Sequence, residues 1–212
     1  MSKIIISVDG KAGSGKARIA KYISNKYYFF HLDSGLLYRS FAHIITNKKL
    51  DYNNTNALKE FIASIEILPS KNLKLLRKES IGKIASKIAK IQIVRTFINK
   101  QQKIIVKEKL KIYHGCVIDG RDIGSKVFKN AKIKLFVEVS PEIRAKRRHK
   151  QLIELGEKSI YSQILKEINL RDKTDIERKN SPLVKPKGSL LINNSKSFNE
   201  TISQIKKALI SI

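Results

Sequence analysis

Two periods of apolar spacing alternate along the chain. Short unbroken apolar runs read as buried strands, and longer stretches with apolar residues three or four apart read as helices. Lys3–Asp9 contains the run Ile4-Ile-Ile-Ser-Val8 and predicts a first strand; Gly15–Tyr27 follows with Ile19, Ala20, Tyr22 and Ile23 in a helical pattern. Phe29–Leu32 predicts a second short strand and Gly35–Asn47 a second helix. Gly115–Asp119 and Ile133–Val139 read as strands, Pro141–Gly156 and Ser159–Thr174 as basic helices, and Ser189–Asn193 as a last strand. Phe198–Ile212 closes the chain as an amphipathic helix with Ile202, Ile205, Leu209 and Ile212 on one face. Between these, Glu79–Lys90 and Gln92–Lys111 are helical, while Lys48–Lys78 is polar and weakly patterned, a candidate insert. Lys179–Gly188, with two prolines, is a loop, and no internal repeat or low-complexity tract appears. Strands alternating with helices over nearly the whole length predict an α/β fold, a parallel sheet with helices on both faces. At 212 residues the chain suits one compact domain, 1–212, with room for a small insert or flap.

The junction between the first strand and first helix carries the strongest chemistry. Gly10-Lys-Ala-Gly-Ser-Gly-Lys16 has the spacing of a phosphate-binding loop in the context that loop requires, a strand before it and a helix after it. The glycines let successive backbone N–H groups curl around an anion, and the helix N-terminus adds partial positive charge. Lys16 then serves as a mobile point charge for the outer phosphates. A plain glycine-rich turn is the alternative, and the flanking strand and helix argue against it. The chain is therefore expected to bind a nucleoside triphosphate through Gly10, Lys11, Ala12, Gly13, Ser14, Gly15, Lys16, Ala17 and Arg18. Positions 17 and 18 lack the hydroxyl that such loops usually offer a metal. The protein ligand of the metal is thus unknown, Mg2+ being expected on phosphates and water, and Arg18 is a candidate phosphate contact instead.

Charge and cysteine content narrow the class. The formal net charge is +26, which points toward nucleic acid. Lysine is scattered over every segment whereas arginine is clustered, so the lysines read as solvated surface and the arginines as chemistry. The chain holds one cysteine, Cys116, in the apolar run Cys116-Val-Ile118, where a buried thiol is expected and no internal disulfide is possible. No apolar stretch approaches membrane-spanning length and the N-terminus is not patterned as a signal peptide. A cytoplasmic location is the expectation.

Ligands of parallel sheets gather at the carboxyl ends of the strands, and polar clusters fall there. Asp9-Gly10 follows the first strand, Leu32-Asp-Ser-Gly-Leu-Leu-Tyr-Arg39 the second, and Asp119-Gly-Arg-Asp-Ile-Gly124 the third. Arg144-Ala-Lys-Arg-Arg148 lies on the helix after the strand ending at Val139, and Arg171-Asp-Lys-Thr-Asp-Ile-Glu-Arg178 closes the next helix. Taken singly, each is a capped loop or a solvated basic face. Their joint placement around a phosphate loop is not explained that way.

These residues, with Ala85-Ser86, Val94-Arg95 and Ser181-Pro-Leu-Val184, resemble the bacterial cytidylate kinases over essentially residues 4–212. The combination of Asp-Ser-Gly-x-x-Tyr-Arg with Asp-Gly-Arg-Asp carries the resemblance; the phosphate loop alone is common to many nucleotide hydrolases and kinases. The resemblance implies a P-loop NTPase fold with a lid around 141–180 and an acceptor-binding insert around 48–84, shortened near Leu68–Ile84. It implies an enzyme that uses ATP and Mg2+ to phosphorylate CMP and dCMP, acting as a monomer with no specific nucleic acid and no membrane as partner. Lys16, Arg121 and Arg178 become the catalytic candidates. Arg39, Arg121 and Arg178 would hold the acceptor phosphate, as guanidinium pairs with phosphate oxygens bidentately. Ser34, Tyr38, Ser86, Arg95 and Asp122 would line the acceptor pocket, and Asp175 would contact the sugar hydroxyl. Arg144, Arg147, Arg148 and Arg171 would belong to the lid, with Arg147 also on ATP.

The chain departs from the family pattern in several places. Lys11 stands where proline is usual, Ala17-Arg18 where Gly-Thr is usual, Thr174 for a basic lid residue, and Asn193-Asn194 where an acidic residue is common. Two other classes compete. A nucleic-acid-binding protein would use the basic charge but has few aromatics to stack bases and no Trp. A kinase of the same fold with another small acceptor would not need the pair Arg95 and Asp122.

Overall fold

The computed structural model describes residues 3–65 and 73–210. Among these residues five strands form one sheet, in the order β2-β3-β1-β4-β5. They are β1 (Ile4–Gly10), β2 (Phe29–Asp33), β3 (Gly115–Gly120), β4 (Ile133–Glu138) and β5 (Leu190–Asn193). β1 pairs in parallel with β3, from Ile4 opposite Gly115 to Asp9 opposite Gly120, and with β4, from Ile6 opposite Ile133 to Gly10 opposite Val137. β4 pairs in parallel with β5, Leu135 opposite Leu190 through Glu138 opposite Asn193. Having a neighbour on each side and cover on each face, β1 is buried from Ile6 to Gly10. That is why its sequence is a continuous apolar run and not an alternating one. The parallel register brings the carboxyl ends of β1, β3 and β4 to one edge.

The chain divides into two compact units, one comprising Met1–His31 and Tyr113–Ile212, the other Leu32–Ile112. In the first unit, α1 (Lys16–Tyr27) buries Ile19, Ala20 and Ile23 against Ile6, Val8, Val117, Leu135 and Val137. The helix ends at Tyr28, in the left-handed region at φ 54, whose N–H donates to Ser24 O, while Ser24 Oγ donates to Phe29 O. This turn reverses the chain into β2 without a glycine. α7 (Pro141–Glu154) starts with Ser140 as its cap and proline in its first turn, both favourable for a helix start. α8 (Tyr161–Glu177) follows, and α9 (Phe198–Ala208) opens on a reciprocal capping box between Ser197 and Glu200.

Among its described residues, the second unit is built of helices beyond the end of β2. It contains α2 (Ser34–Asn47), α3 (Thr55–Ala63), α4 (Leu73–Leu76), α5 (Glu79–Ile88) and α6 (Gln92–Lys109). Asp33 caps α2, its carboxylate accepting from Leu36 N–H at 3.1 Å. Phe41 lies at the centre of the packing, its ring 6.2 Å from Phe61 in a stacked arrangement and 5.7 Å from Phe97.

Most boundaries agree with the sequence pattern to within one to three residues. The stretch 48–78, weakly patterned in sequence and read as a candidate insert, forms α3 and α4 among its described residues, with Leu58 and Leu76 fully buried. Each helix is too short for its single apolar stripe to stand out among polar neighbours. The shortening expected near 68–84 falls partly on residues 66–72, outside the described residues, as does Ile212 of the closing helix. α8 runs to Glu177, beyond the expected end at Thr174, because no glycine or proline intervenes before Pro182. Asp175 therefore lies on the helix and Arg178 at its C-cap. After β3 the chain makes a π turn over Ile123–Val127. No helix among the described residues is long and apolar enough to cross a membrane.

Candidate active site

The segment from Gly10 to Gly15 links the end of β1 to Lys16, the first residue of α1. Gly13 and Gly15 have φ of 72° and 87°, a region that L side chains rarely enter, which explains the glycine at both places. Lys16 is buried at 6% exposure, and its ammonium donates to Lys11 O at 2.8 Å. Burial and then repulsion from Arg121 push its pKa down to about 7 against the attraction of Asp119, Asp175 and Asp9. Ser14 Oγ is buried with no hydrogen-bond partner, a polar atom that a bound oxyanion would satisfy. Arg18 is placed elsewhere: its guanidinium stacks 3.8 Å from the centre of the Phe198 ring of α9. No cluster of three or more His, Cys, Asp or Glu suited to a metal occurs among the described residues.

The end of β3 brings four of the expected residues together. Arg121 Nε donates to Asp175 Oδ2 at 3.0 Å, and Arg178 Nη1 to Asp175 Oδ1 at 3.4 Å. Arg178 Nη2 lies 3.9 Å from Asp122 Oδ1, and its Nε donates to Ser181 O at 2.7 Å. Burial alone would raise the Asp175 pKa, but Arg121, Arg178 and Arg171 overcome it and hold the carboxyl below its usual range. Asp9 supports this cluster from β1: its carboxylate accepts the N–H groups of Ile123 at 2.8 Å and Gly124 at 2.7 Å, fixing the turn beyond Arg121 and Asp122. Burial pushes Asp9 up to about 6, in spite of those two hydrogen bonds. His31 Nε2 lies 2.7 Å from Asp119 Oδ1.

The four arginines expected in a lid are sorted by the structure. Arg144 is 1% exposed; its guanidinium donates to both oxygens of Asp172, to Val139 O and to Ala12 O. Arg147 Nη2 donates to Asn194 O at 2.8 Å, against the turn after β5. Arg148 is exposed and bonds Gln151, three residues along its own helix. Arg171 is exposed and acts on Asp175 through its charge.

In the second unit, Ser34 and Tyr38 are buried on α2. Arg39 Nη1 donates to Leu76 O at 2.7 Å and to Lys78 O at 3.3 Å, bracing the link from α4 to α5. Arg95 is 2% exposed; its Nη1 donates to Ala89 O at 3.0 Å and its guanidinium lies 5.8 Å from the Tyr38 ring. Ser86 is half-buried on α5. Sequence reasoning passed over three residues as site members: Asp172, Asn194 and His31. Asp172 sits inside a cluster read for its arginines. Asn194 showed only as a departure after the last strand, and His31 gave no signal at all.

Comparisons with known proteins show the family of the chain. The cytidylate kinase family model matches residues 6–211. The chain is 36% identical over 211 residues to a cytidylate kinase of Bartonella henselae, covering 99% of this chain and 95% of that protein. It is 39% identical over 201 residues to a cytidylate kinase of Rickettsia felis, covering 94% and 89%. Among solved structures, the TT1252 protein of Thermus thermophilus superposes with a TM-score of 0.56 at 15% identity, covering 100% of this chain and 98% of that one, a likeness of fold. With a braced phosphate loop, an arginine–aspartate cluster at the end of β3 and a family match across both units, the chain belongs to the cytidylate kinase family.

Proposed function

We propose that this protein transfers the γ-phosphoryl group of ATP to CMP and dCMP, giving CDP and dCDP with ADP as the other product. One observation carries the reading: Lys16 lies buried at the loop, near enough to Arg121 and Asp175 for their charges to act on it. Phosphoryl transfer needs cationic charge and positioning, not a covalent intermediate. An oxygen of the acceptor phosphate attacks the γ-phosphorus in line, and the bond from that phosphorus to the ADP oxygen breaks. Lys16 neutralises charge on the transferring oxygens. Arg121 and Arg178 hold the acceptor phosphate, and Asp175, between them, orients both guanidiniums and takes the sugar hydroxyl. Mg2+ enters as part of the Mg·ATP substrate, held by phosphates and water. From the second unit, Arg39 is assigned to the acceptor phosphate and Ser34, Tyr38, Ser86 and Arg95 to the nucleoside, with Asp122 of the first unit reading the cytosine amino group. Arg148 and Arg171 are assigned to closing over the phosphates, which excludes water as a competing acceptor. The enzyme is proposed to be a cytoplasmic monomer without a sequence-specific nucleic-acid partner.

An ADP-release assay across CMP, dCMP, UMP, AMP and GMP tests the assignment. CMP and dCMP should exceed AMP and GMP in kcat/KM by about 10–100-fold or more, since each buried polar group left unpaired costs about 1–3 kcal/mol. Equal use of AMP overturns it.

A further inference from the structure

We propose that Asn194, Arg144 and Asp172 are positioning residues that hold the phosphate loop in its anion-accepting shape without touching the nucleotide. A loop that curls its N–H groups inward around an anion must turn its carbonyls outward, and buried carbonyls need donors. Three loop carbonyls have side-chain donors: Lys11 O accepts from Lys16 Nζ at 2.8 Å, Ala12 O from Arg144 Nη1 at 3.0 Å, and Ser14 O from Asn194 Nδ2 at 2.8 Å. The last two donors come from outside the loop, from α7 and from the turn after β5, and they stay in place when Lys16 moves to phosphate.

Both outside donors are themselves locked. Asn194 is 5% exposed, and Thr201 Oγ1 on α9 donates to its Oδ1 at 2.8 Å. Because the oxygen is thereby the acceptor, the amide nitrogen is the end that faces Ser14 O. Arg144 is tied by Val139 O and by both oxygens of Asp172, so its charge is compensated within the buried site. Asp172 also lies 3.8 Å from Lys11 Nζ, a direct link from α8 to the loop. The fit is close: a Cβ at Gly15 would lie 2.3 Å from Asn194 Nδ2. Any larger residue at Gly15 would therefore displace the brace.

The inference rests on the kinase reading, and the test separates the two. Dissociation constants for ATP and for CMP, each alone, and Tm are measured by calorimetry for the parent, Asn194→Leu, Thr201→Val and the pair Arg144→Met with Asp172→Leu. Asn194→Leu keeps volume and neutrality but removes the donor, so ATP should bind about tenfold more weakly, as expected for one lost hydrogen bond, with CMP within about twofold. Thr201→Val, which only frees the amide to turn, should weaken ATP about threefold. The charge-neutral pair, leaving no ion buried alone, should match Asn194→Leu. A merely structural role would lower Tm and loosen ATP and CMP alike; that result, or unchanged ATP affinity, overturns the proposal. Should Asn194→Leu fail to fold, Thr201→Val decides by the same criteria. A parent that binds no ATP overturns the kinase reading and this inference with it, whereas a parent that binds ATP with variants that bind equally overturns the inference alone.

Discussion

The two units meet their chemistry in different ways. In the first, the phosphate loop, the end of β3 and the turn after β5 all lie at the carboxyl edge of a parallel sheet, and main-chain groups do much of the holding. In the second, the assigned residues stand on the faces of α2, α5 and α6 as single side chains, among them Arg39 and Arg95, which donate to the carbonyls of Leu76, Lys78 and Ala89. On the proposed assignment, the triphosphate would be gripped by loop geometry, which few residues can alter without breaking the loop. The base would be chosen by side chains, which can change one at a time. Substitution of Lys16 in the loop itself should therefore nearly abolish turnover, and substitutions of the base-facing side chains of the second unit should redistribute it among acceptors.

The sharpest break is Lys16→Ala. Losing one cation from the transferring oxygens should lower kcat by about 10²–10³-fold or more while circular dichroism stays unchanged. Near-normal turnover by a folded variant would remove the phosphate-loop assignment and, with it, the contrast between the units. Next in size is Arg95→Met in the second unit, of similar length but without charge. The ratio of kcat/KM for CMP over AMP should fall about tenfold or more, with turnover of the remaining good acceptor largely kept. A uniform loss for all acceptors would mean that Arg95 only supports the helices around it.

Gly82→Ala should separate function from stability within one helix. A Cβ there would come within 2.8 Å of Arg39 Nη2, so the guanidinium, the far end of a flexible side chain, must shift. Gly82 lies inside α5, where alanine gains roughly 0.5–1 kcal/mol of helix stability. We expect Tm to hold or rise while KM for CMP rises about two- to fivefold and KM for ATP does not. Equal KM for CMP would show that Arg39 is not on the acceptor.

The smallest effect is read in stability against pH. Lys16 has its folded-state pKa depressed from 10.5 to about 7 by burial. Its contribution is therefore present above the unfolded value and is lost as pH falls through the folded one; near pH 7 the buried ammonium costs stability. Lys16→Met should accordingly melt a few degrees above the parent at pH 7, and the gap should close as pH rises toward 10.5. A gap that widens with pH would mean that another group governs the difference.

Legibility in the sequence followed the same division. Gly10–Lys16 and Asp119–Gly124 announced themselves because glycine spacing beside a strand end is a local constraint, met by the same few residues that use it. The parallel pairing of strands followed from alternation, whereas their order in the sheet came only from the structure. Arg144 and Arg148 are the counterexample: they sit one turn apart on one basic helix and look alike in sequence, yet one is 1% exposed and the other is exposed. The buried partner Asp172 is 28 residues away on α8, and no local pattern joins them. The stretch 48–78 concealed two helices because Leu58 and Leu76 are buried by distant parts of their unit and not by a stripe long enough to see.

The sequence by itself determined the strand–loop–helix unit, the α/β alternation and the family, because each depends on residues close in the chain whose backbone preferences and spacing act directly. Only the tertiary structure decided which arginine goes inside, which asparagine faces a loop carbonyl, and that Asp9 anchors the turn after β3. Those outcomes depend on burial, and burial depends on what the rest of the fold places opposite. Once water is excluded, a guanidinium or a loop carbonyl must find its partner wherever the packing has put one.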